Sequence, residues 1–251
     1  MRFTFLGTGT SQGIPVITCK CGVCISSDPR DNRTRTSLLI ASDTTTVIID
    51  TGPDFRHQML RENVGGLDAV VFTHGHKDHV AGLDDIRPFN YLLHKSIDVY
   101  AEIEVQQTLR REFPYVFHKE KHFGVPQIEL NTIDENPFTV GDIDFIPIRA
   151  MHKELPVLGF RINDFSYITD ANFIADSELE KLKGSKVMVL NALRREEHYS
   201  HFNLDQALEV IAKVMPDVAY LTHISHHLGK HAEVEKELPS HVHLAYDGLK
   251  L

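Results

Sequence analysis

Leu67-Asp68-Ala69-Val70-Val71-Phe72-Thr73-His74-Gly75-His76-Lys77-Asp78-His79 decides how the whole chain is read. Its first half is a short apolar, β-branched run, the pattern of a buried strand. Its second half packs His-x-His-x-Asp-His into six residues. In extended backbone, side chains alternate faces with period two, so His74, His76 and Asp78 can point the same way. Glycine at position 75 lets the backbone bend without steric cost, and a turn after Asp78 brings His79 round. Four ligand-type groups converging in six residues suit two metal ions better than one. A polar loop rich in histidine by chance would not be expected to combine these ligand types, this spacing and the strand before them.

Outward from this segment, apolar and β-branched runs recur at 3–6, 37–41, 46–49, 97–100, 143–148, 159–162, 166–169, 186–190, 218–221 and 242–245, and each reads as a strand. Ser42-Asp43 and Asn163-Asp164 look like hairpin turns. Helical spacing appears in Leu204, Ala207, Leu208, Ile211 and Val214, with Asn203 placed as the N-cap. Ser177 and Glu180 form a capping-box pattern with Gly184 as a stop. A weaker helix is expected over 104–113, and a last one from near Lys230 to Pro239. Strands and helices mix from end to end without a linker or a repeat. One α/β domain over residues 1–251 fits this best, and the hairpins exclude a purely parallel sheet.

Composition narrows the function. Of 251 residues, 42% are hydrophobic, enough for a full core. The net charge of −9 (Lys+Arg 26 against Asp+Glu 35) argues against an extended nucleic-acid-binding surface. It leaves room for a small anionic substrate held by metals and one or two Arg. The excess is in His, 16 residues, the commonest metal ligand. The N-terminus alternates like a strand and lacks the apolar region of a signal peptide. No stretch approaches the roughly 20 apolar residues of a membrane span. The expectation is a soluble, cytoplasmic protein.

All three cysteines lie in Cys19-Lys20-Cys21-Gly22-Val23-Cys24. An odd, tight cluster is a poor disulfide framework and a better metal site. A tetrahedral structural zinc takes four sulfur or nitrogen ligands. His226, in Thr222-His223-Ile224-Ser225-His226-His227, is the choice for the fourth, with His227 and His231 as rivals. Such a zinc would tie the N-terminal loop to the loop after His223. Gly7-Thr8-Gly9-Thr10-Ser11-Gln12-Gly13 invites a dinucleotide reading, but the third glycine is one place late and no helix follows.

With His74, His76, Asp78 and His79 in this order, the chain resembles the metallo-β-lactamase superfamily along its whole length. That resemblance implies a four-layer αβ/βα sandwich, two mixed β-sheets flanked by helices. It implies that His74, His76 and His152 hold one metal, that Asp78, His79 and His223 hold a second, and that Asp170 bridges them. Asp50 resembles the supporting carboxylate that orients a ligand. Each of these positions ends a predicted strand. The cysteine loop resembles one branch, the phosphoribosyl cyclic-phosphate phosphodiesterases (PhnP-like). A similar loop occurs in the relative linked to pyrroloquinoline quinone biosynthesis. The Gly7–Gly13 loop matches the glycine-rich opening of the same branch and is expected to line the site.

The reaction implied is hydrolysis of a phosphodiester, possibly cyclic, by a hydroxide bridging two divalent ions, Zn or Mn, with Asp78 in the catalytic set and a separate structural zinc. His201 would act as general acid on the leaving group, with His198 second, and Arg194 would grip a phosphate oxygen. A homodimer is implied by the resemblance alone. Two other readings stand beside this one: hydrolysis of a lactone, a thioester or a tRNA 3′ end at the same centre, and a non-catalytic carrier that keeps the fold. His57, His94, His118, His122, His241 and His243 have no motif around them and read as structural or surface residues.

Overall fold

Residues 1–118 and 124–251 are described by a computed structural model; His122 lies outside them. The first sheet contains β1 (Arg2–Gly7), β2 (Ser37–Ala41), β3 (Thr46–Ile49), β4 (Ala69–Val71), β5 (Ile97–Ala101) and β6 (Ile128–Thr132), in that spatial order. β1, β2 and β3 pair antiparallel, whereas β3 to β6 pair parallel. The second sheet contains β7 (Phe138–Val140), β8 (Ile143–His152), β9 (Leu155–Ile162), β10 (Phe165–Ile168), β11 (Phe173–Ile174), β12 (Val187–Asn191), β13 (Val218–Thr222) and β14 (Val242–Leu244). Its order is β11-β8-β9-β10-β12-β13-β14, with β7 paired to β8. The helices are α1 (Phe55–Glu62), α2 (Lys77–Val80), α3 (Arg87–Leu93), α4 (Ile103–Glu112), α5 (Asp176–Leu182), α6 (Leu204–Val214) and α7 (His231–Val234).

Alternating side chains of each strand feed two different cores, which makes four layers. Val47 and Ile49 pack with Leu158, Phe160 and Tyr167 between the two sheets. Ile48 faces the other way and packs with Phe55 and Met59 of α1 and Leu109 of α4. In the second sheet, Met188 and Leu190 pack outward against Leu182 of α5 and Ala207 and Ile211 of α6, whereas Val189 joins the inter-sheet core. Strands buried on both faces read as continuous apolar runs. The amide of Leu158 donates to Thr73 O at 3.0 Å, which knits β9 to the end of β4 where the histidine motif begins.

Helix α6 starts as its sequence dictates. The Gln206 amide donates to Asn203 Oδ1 (2.9 Å), and the Asn203 amide donates to Gln206 Oε1 (3.1 Å). Elsewhere the details differ from expectation. α5 begins at Asp176, and its cap, Ala175, makes no side-chain bond, so Ser177 lies inside the helix. The helix expected from Lys230 to Pro239 is one turn, His231–Val234. β8 runs ten residues rather than six, so His152 ends the strand instead of following it in a loop. Gly75 does not adopt a left-handed backbone; its role is space, because a Cβ there would lie 3.1 Å from Thr108 Oγ1 of α4. No helix among the described residues is long and apolar enough to cross a membrane.

Candidate metal centre

The strand ends meet at one edge of the sandwich. Asp50 follows β3, His74 follows β4, His152 ends β8, Asp170 follows β10 and His223 follows β13. Asp50, Asp170 and His223 all have left-handed backbones (φ 64°, 56° and 55°). For residues other than glycine such turns cost roughly 1–2 kcal/mol each. They swing each side chain sharply out of its strand, and residues held this way cluster at functional sites.

Asp170 is the hub. Its Oδ2 lies 3.2 Å from His79 Nε2 and 3.1 Å from His223 Nδ1, and its Oδ1 lies 3.8 Å from His201 Nδ1. Around it the His74 ring centroid is 4.2 Å from that of His79 and 4.6 Å from that of His76. His152 is 5.1 Å from His76 and 4.5 Å from His201. Three sets of ligand atoms are close enough to share an ion: His74, His79 and Asp170; His152, Asp170 and His201; and Asp78, Asp170 and His223. Six of the seven residues of the expected ligand set fall in these groups, and His201 joins them at ligand distance. His76 is the outlying member, exposed beside His152.

Neighbours fix these groups. Asp50 is fully buried, accepts from the Thr73 amide (2.9 Å) and the Thr73 hydroxyl (2.7 Å), and lies 2.7 Å from His79 Nδ1. His79 thereby turns Nε2 toward Asp170. Gly52 lets the chain pass close to α2, since a Cβ there would sit 2.2 Å from Asp78 O. His152 Nδ1 meets Ser200 O at 2.8 Å. The Thr36 hydroxyl donates to Gly9 O at 2.8 Å and contacts His223 Nδ1 at 3.3 Å. The Asn191 side chain brackets Ala171 through both its amide and its carbonyl, and the Phe202 amide donates to Ala171 O, which holds His201 over Asp170. Thr36, Thr73 and Asn191 were not identifiable from the sequence, because nothing local marks a hydroxyl or amide as a ligand's partner. Only Thr73, inside the motif, offered a cue.

The donor set fits divalent metal ions. His74 Nε2 is buried without a hydrogen-bond partner. An orphaned nitrogen of this kind carries a desolvation cost that an ion would relieve. Burial, followed by the His79 charge, pushes His74 well below the usual histidine range, which leaves its nitrogen free as a donor. Burial also pushes Asp170 and Asp78 up, but the facing histidines outweigh it, and both carboxyls are held below their ordinary range. Burial and His223 push His201 down to about 3.

Cys19, Cys21 and Cys24 converge on one nitrogen. Their Sγ atoms lie 3.4, 3.3 and 3.5 Å from His226 Nδ1. Tetrahedral Zn–S and Zn–N bonds place such atoms about 3.5 Å apart. His231, one of the rivals, faces Arg33 Nη2 at 3.1 Å, and the His227 ring lies beside that of His226. The Cys24 amide hydrogen bond lowers the Cys21 thiol to about 6, and burial raises Cys24 to about 11.

The remaining candidates lie on the rim. Arg194 donates to Glu197 O (2.8 Å) and Glu196 O (3.3 Å), so its guanidinium braces its own loop. With His198, Thr10, Ser11 and Gln12 it lines a cleft of about 270 Å³. The glycine-rich loop thus reaches the rim as expected. A larger cleft of about 650 Å³ opens beside His74 and His76, lined in part by Glu102, Arg149 and Pro156.

A four-layer sandwich with histidines and aspartates gathered at its strand ends defines a class of metal-binding hydrolase folds. The family profile of the β-lactamase superfamily domain matches residues 45–224. A solved diphosphatase of the PhnP family superposes with a TM-score of 0.93 at 38% identity, over 100% of this chain and 96% of that one. The chain belongs to the metallo-β-lactamase superfamily, in its PhnP-like branch. An octanoyltransferase of Porphyromonas gingivalis is 43% identical over 253 residues, covering 100% of this chain and 51% of that protein. This chain therefore spans about half the length of that curated relative. A Ribonuclease Z of Methanopyrus kandleri is 25% identical over 78% of this chain and 83% of its own.

Proposed function

We propose that the chain is a metal-dependent hydrolase acting on a phosphodiester. The observation that carries this reading is the convergence of His74, Asp78, His79, His152, His201 and His223 on the buried Asp170 carboxylate, beside a cleft lined by His74 and His76. The diphosphatase and the Ribonuclease Z among its relatives support phosphorus–oxygen chemistry in particular. His74, His76, His79, His152, His223, Asp78 and Asp170 would hold two divalent ions, Zn or Mn, and Cys19, Cys21, Cys24 and His226 a third, structural zinc. When bound, the catalytic pair supplies Lewis-acid activation of water near neutral pH and neutralises charge on the phosphate.

The chain's own groups do the rest. Asp50 holds the Nδ1 proton of His79, which keeps Nε2 free and aimed inward. Asp170 fixes the spacing of the surrounding histidines from a single point. His201 serves as general acid, with Nε2 as the donating atom. Burial and the facing His223 favour its neutral form, so the proton for the leaving alkoxide would be taken from solvent as the anionic diester binds.

One observation favours a second reading. The full-length match to half of an octanoyltransferase points to acyl chemistry, hydrolysis of a thioester or ester at the same centre. Turnover of ethyl p-nitrophenyl phosphate, p-nitrophenyl phosphate, a lactone and an acyl thioester separates the two. Diester turnover that disappears in Asp78→Ala is the expected result. Thioester or lactone turnover alone would overturn the phosphodiester reading, and bound metal with no turnover of any of the four would favour a carrier.

A further inference from the structure

Beside the metal centre a cleft of about 330 Å³ is lined by His76, His152, Lys153, Glu154, Leu155 and Tyr199. Two apolar groups stand open to solvent there: Tyr199 is 72% exposed and Leu155 37%. An open aromatic ring beside a reaction centre is a surface on which a flat ligand can stack.

The rim is held in place by one side chain. Asn172 Oδ1 accepts from the Lys153 amide (2.8 Å), and Asn172 Nδ2 donates to Tyr199 O (3.3 Å). The same residue is tied to β8 by its own amide, which donates to Met151 O at 2.8 Å. The β8–β9 turn, where Lys153 has a left-handed backbone (φ 59°), and the 198–201 loop are thus fixed relative to each other. The Tyr199 ring rests against His198, with centroids 4.5 Å apart and a 32° tilt. Lys153 Nζ stands 5.7 Å from the ring centroid and makes no ion pair among the described residues. The next residue after Tyr199, Ser200, positions His152 through its carbonyl. The open ring is therefore coupled in space to the ligand cluster.

We infer that Tyr199 is a stacking platform for a nucleobase, with Leu155 adding apolar surface to the same cleft, so that the substrate's phosphate carries a nucleoside. A flat heteroaromatic ring stacks on an open tyrosine face whatever its sequence identity. Proteins that take up an unpaired base commonly hold it between an aromatic and an apolar side chain. Lys153, whose Nζ stands 5.7 Å from the ring centroid, adds attraction to an electron-rich base and to its phosphate. This inference rests on the phosphodiester reading and names its substrate class.

The test is binding to the metal-loaded protein by calorimetry, using adenosine monophosphate and ribose 5-phosphate as product-like probes that differ only in the base. The nucleotide is expected to bind roughly tenfold more tightly. Tyr199→Ala brings the two affinities close to parity, and Tyr199→Phe keeps the preference. Equal affinity in the unaltered protein, an equal loss for both probes in Tyr199→Ala, or binding of neither probe at millimolar concentration would overturn the inference. Hydrolysis of ethyl p-nitrophenyl phosphate, which has no base, reports on the diesterase reading independently of this result.

Discussion

The described residues hold two clusters of metal-type ligands less than a turn of loop apart, His223 in one and His226 in the other, built on opposite plans. In the cysteine cluster three Sγ atoms stand nearly equidistant, 3.3–3.5 Å, from the fourth donor, a single histidine nitrogen. In the histidine–aspartate cluster the donors outnumber what one ion needs, share a single carboxylate, and open onto clefts. A closed shell suits holding structure together, and an open shell suits exchanging ligands. The short Ile224–Ser225 link makes the first cluster an anchor for the second: the Ile224 amide donates to Thr8 O, and the Thr10 amide donates to Ile224 O.

The largest expected consequence of breaking this contrast is at the hub. Asp170→Ala should lower turnover by at least about a thousandfold, in line with loss of a group on which several others depend. Metal analysis should show the loss confined to the open cluster, with about one zinc per chain retained. A variant that keeps all its metal and most of its activity would refute the role given to Asp170. Next in size, Cys21→Ser should remove the retained zinc instead and lower the melting temperature by about 10 °C. Turnover should fall by less, since His223 is loosened rather than lost. An unchanged zinc content would show that the cysteines hold no ion.

The smallest effect concerns pH in the zinc-stripped protein. Cys21 is lowered from 9.0 to about 6, so its stabilising contribution is complete above pH 9 and is lost as pH falls through 6. Cys24 is raised to about 11, so its contribution is present below pH 9 and is lost as pH rises through 11. Thermal melts should accordingly show a gain of a few degrees between pH 6 and 9 and a decline above it. In Cys21→Ser the gain should vanish; a melting temperature flat across the whole range would contradict the arrangement of the thiols.

Much of the fold could be read in advance because the strands are apolar on both faces, and runs such as 46–49 and 218–221 stand out against their neighbours. β6, β7 and β11 could not be read. Ile128–Thr132 alternates with polar residues, and Phe173–Ile174 is only two residues long and is defined by its pairing with Met151 and Ala150. The gathering at residues 74–79 was legible because the ligands are adjacent in sequence. His152, Asp170 and His223 were legible only through family resemblance, since isolated residues carry no spacing. That His201 would approach Asp170 depends on a tertiary contact through Ala171 that no local pattern encodes, whereas Arg194 turns onto a backbone carbonyl only three residues on, a contact that residue type does not announce.

The left-handed turns at Asp50, Asp170 and His223 have an implication for anyone reshaping this molecule. At each position glycine would be the easier residue for the backbone and the useless one for chemistry. Heat tolerance and reactivity therefore pull against each other at the same three codons, and a screen that rewards folding alone would drift toward a sturdier, empty scaffold.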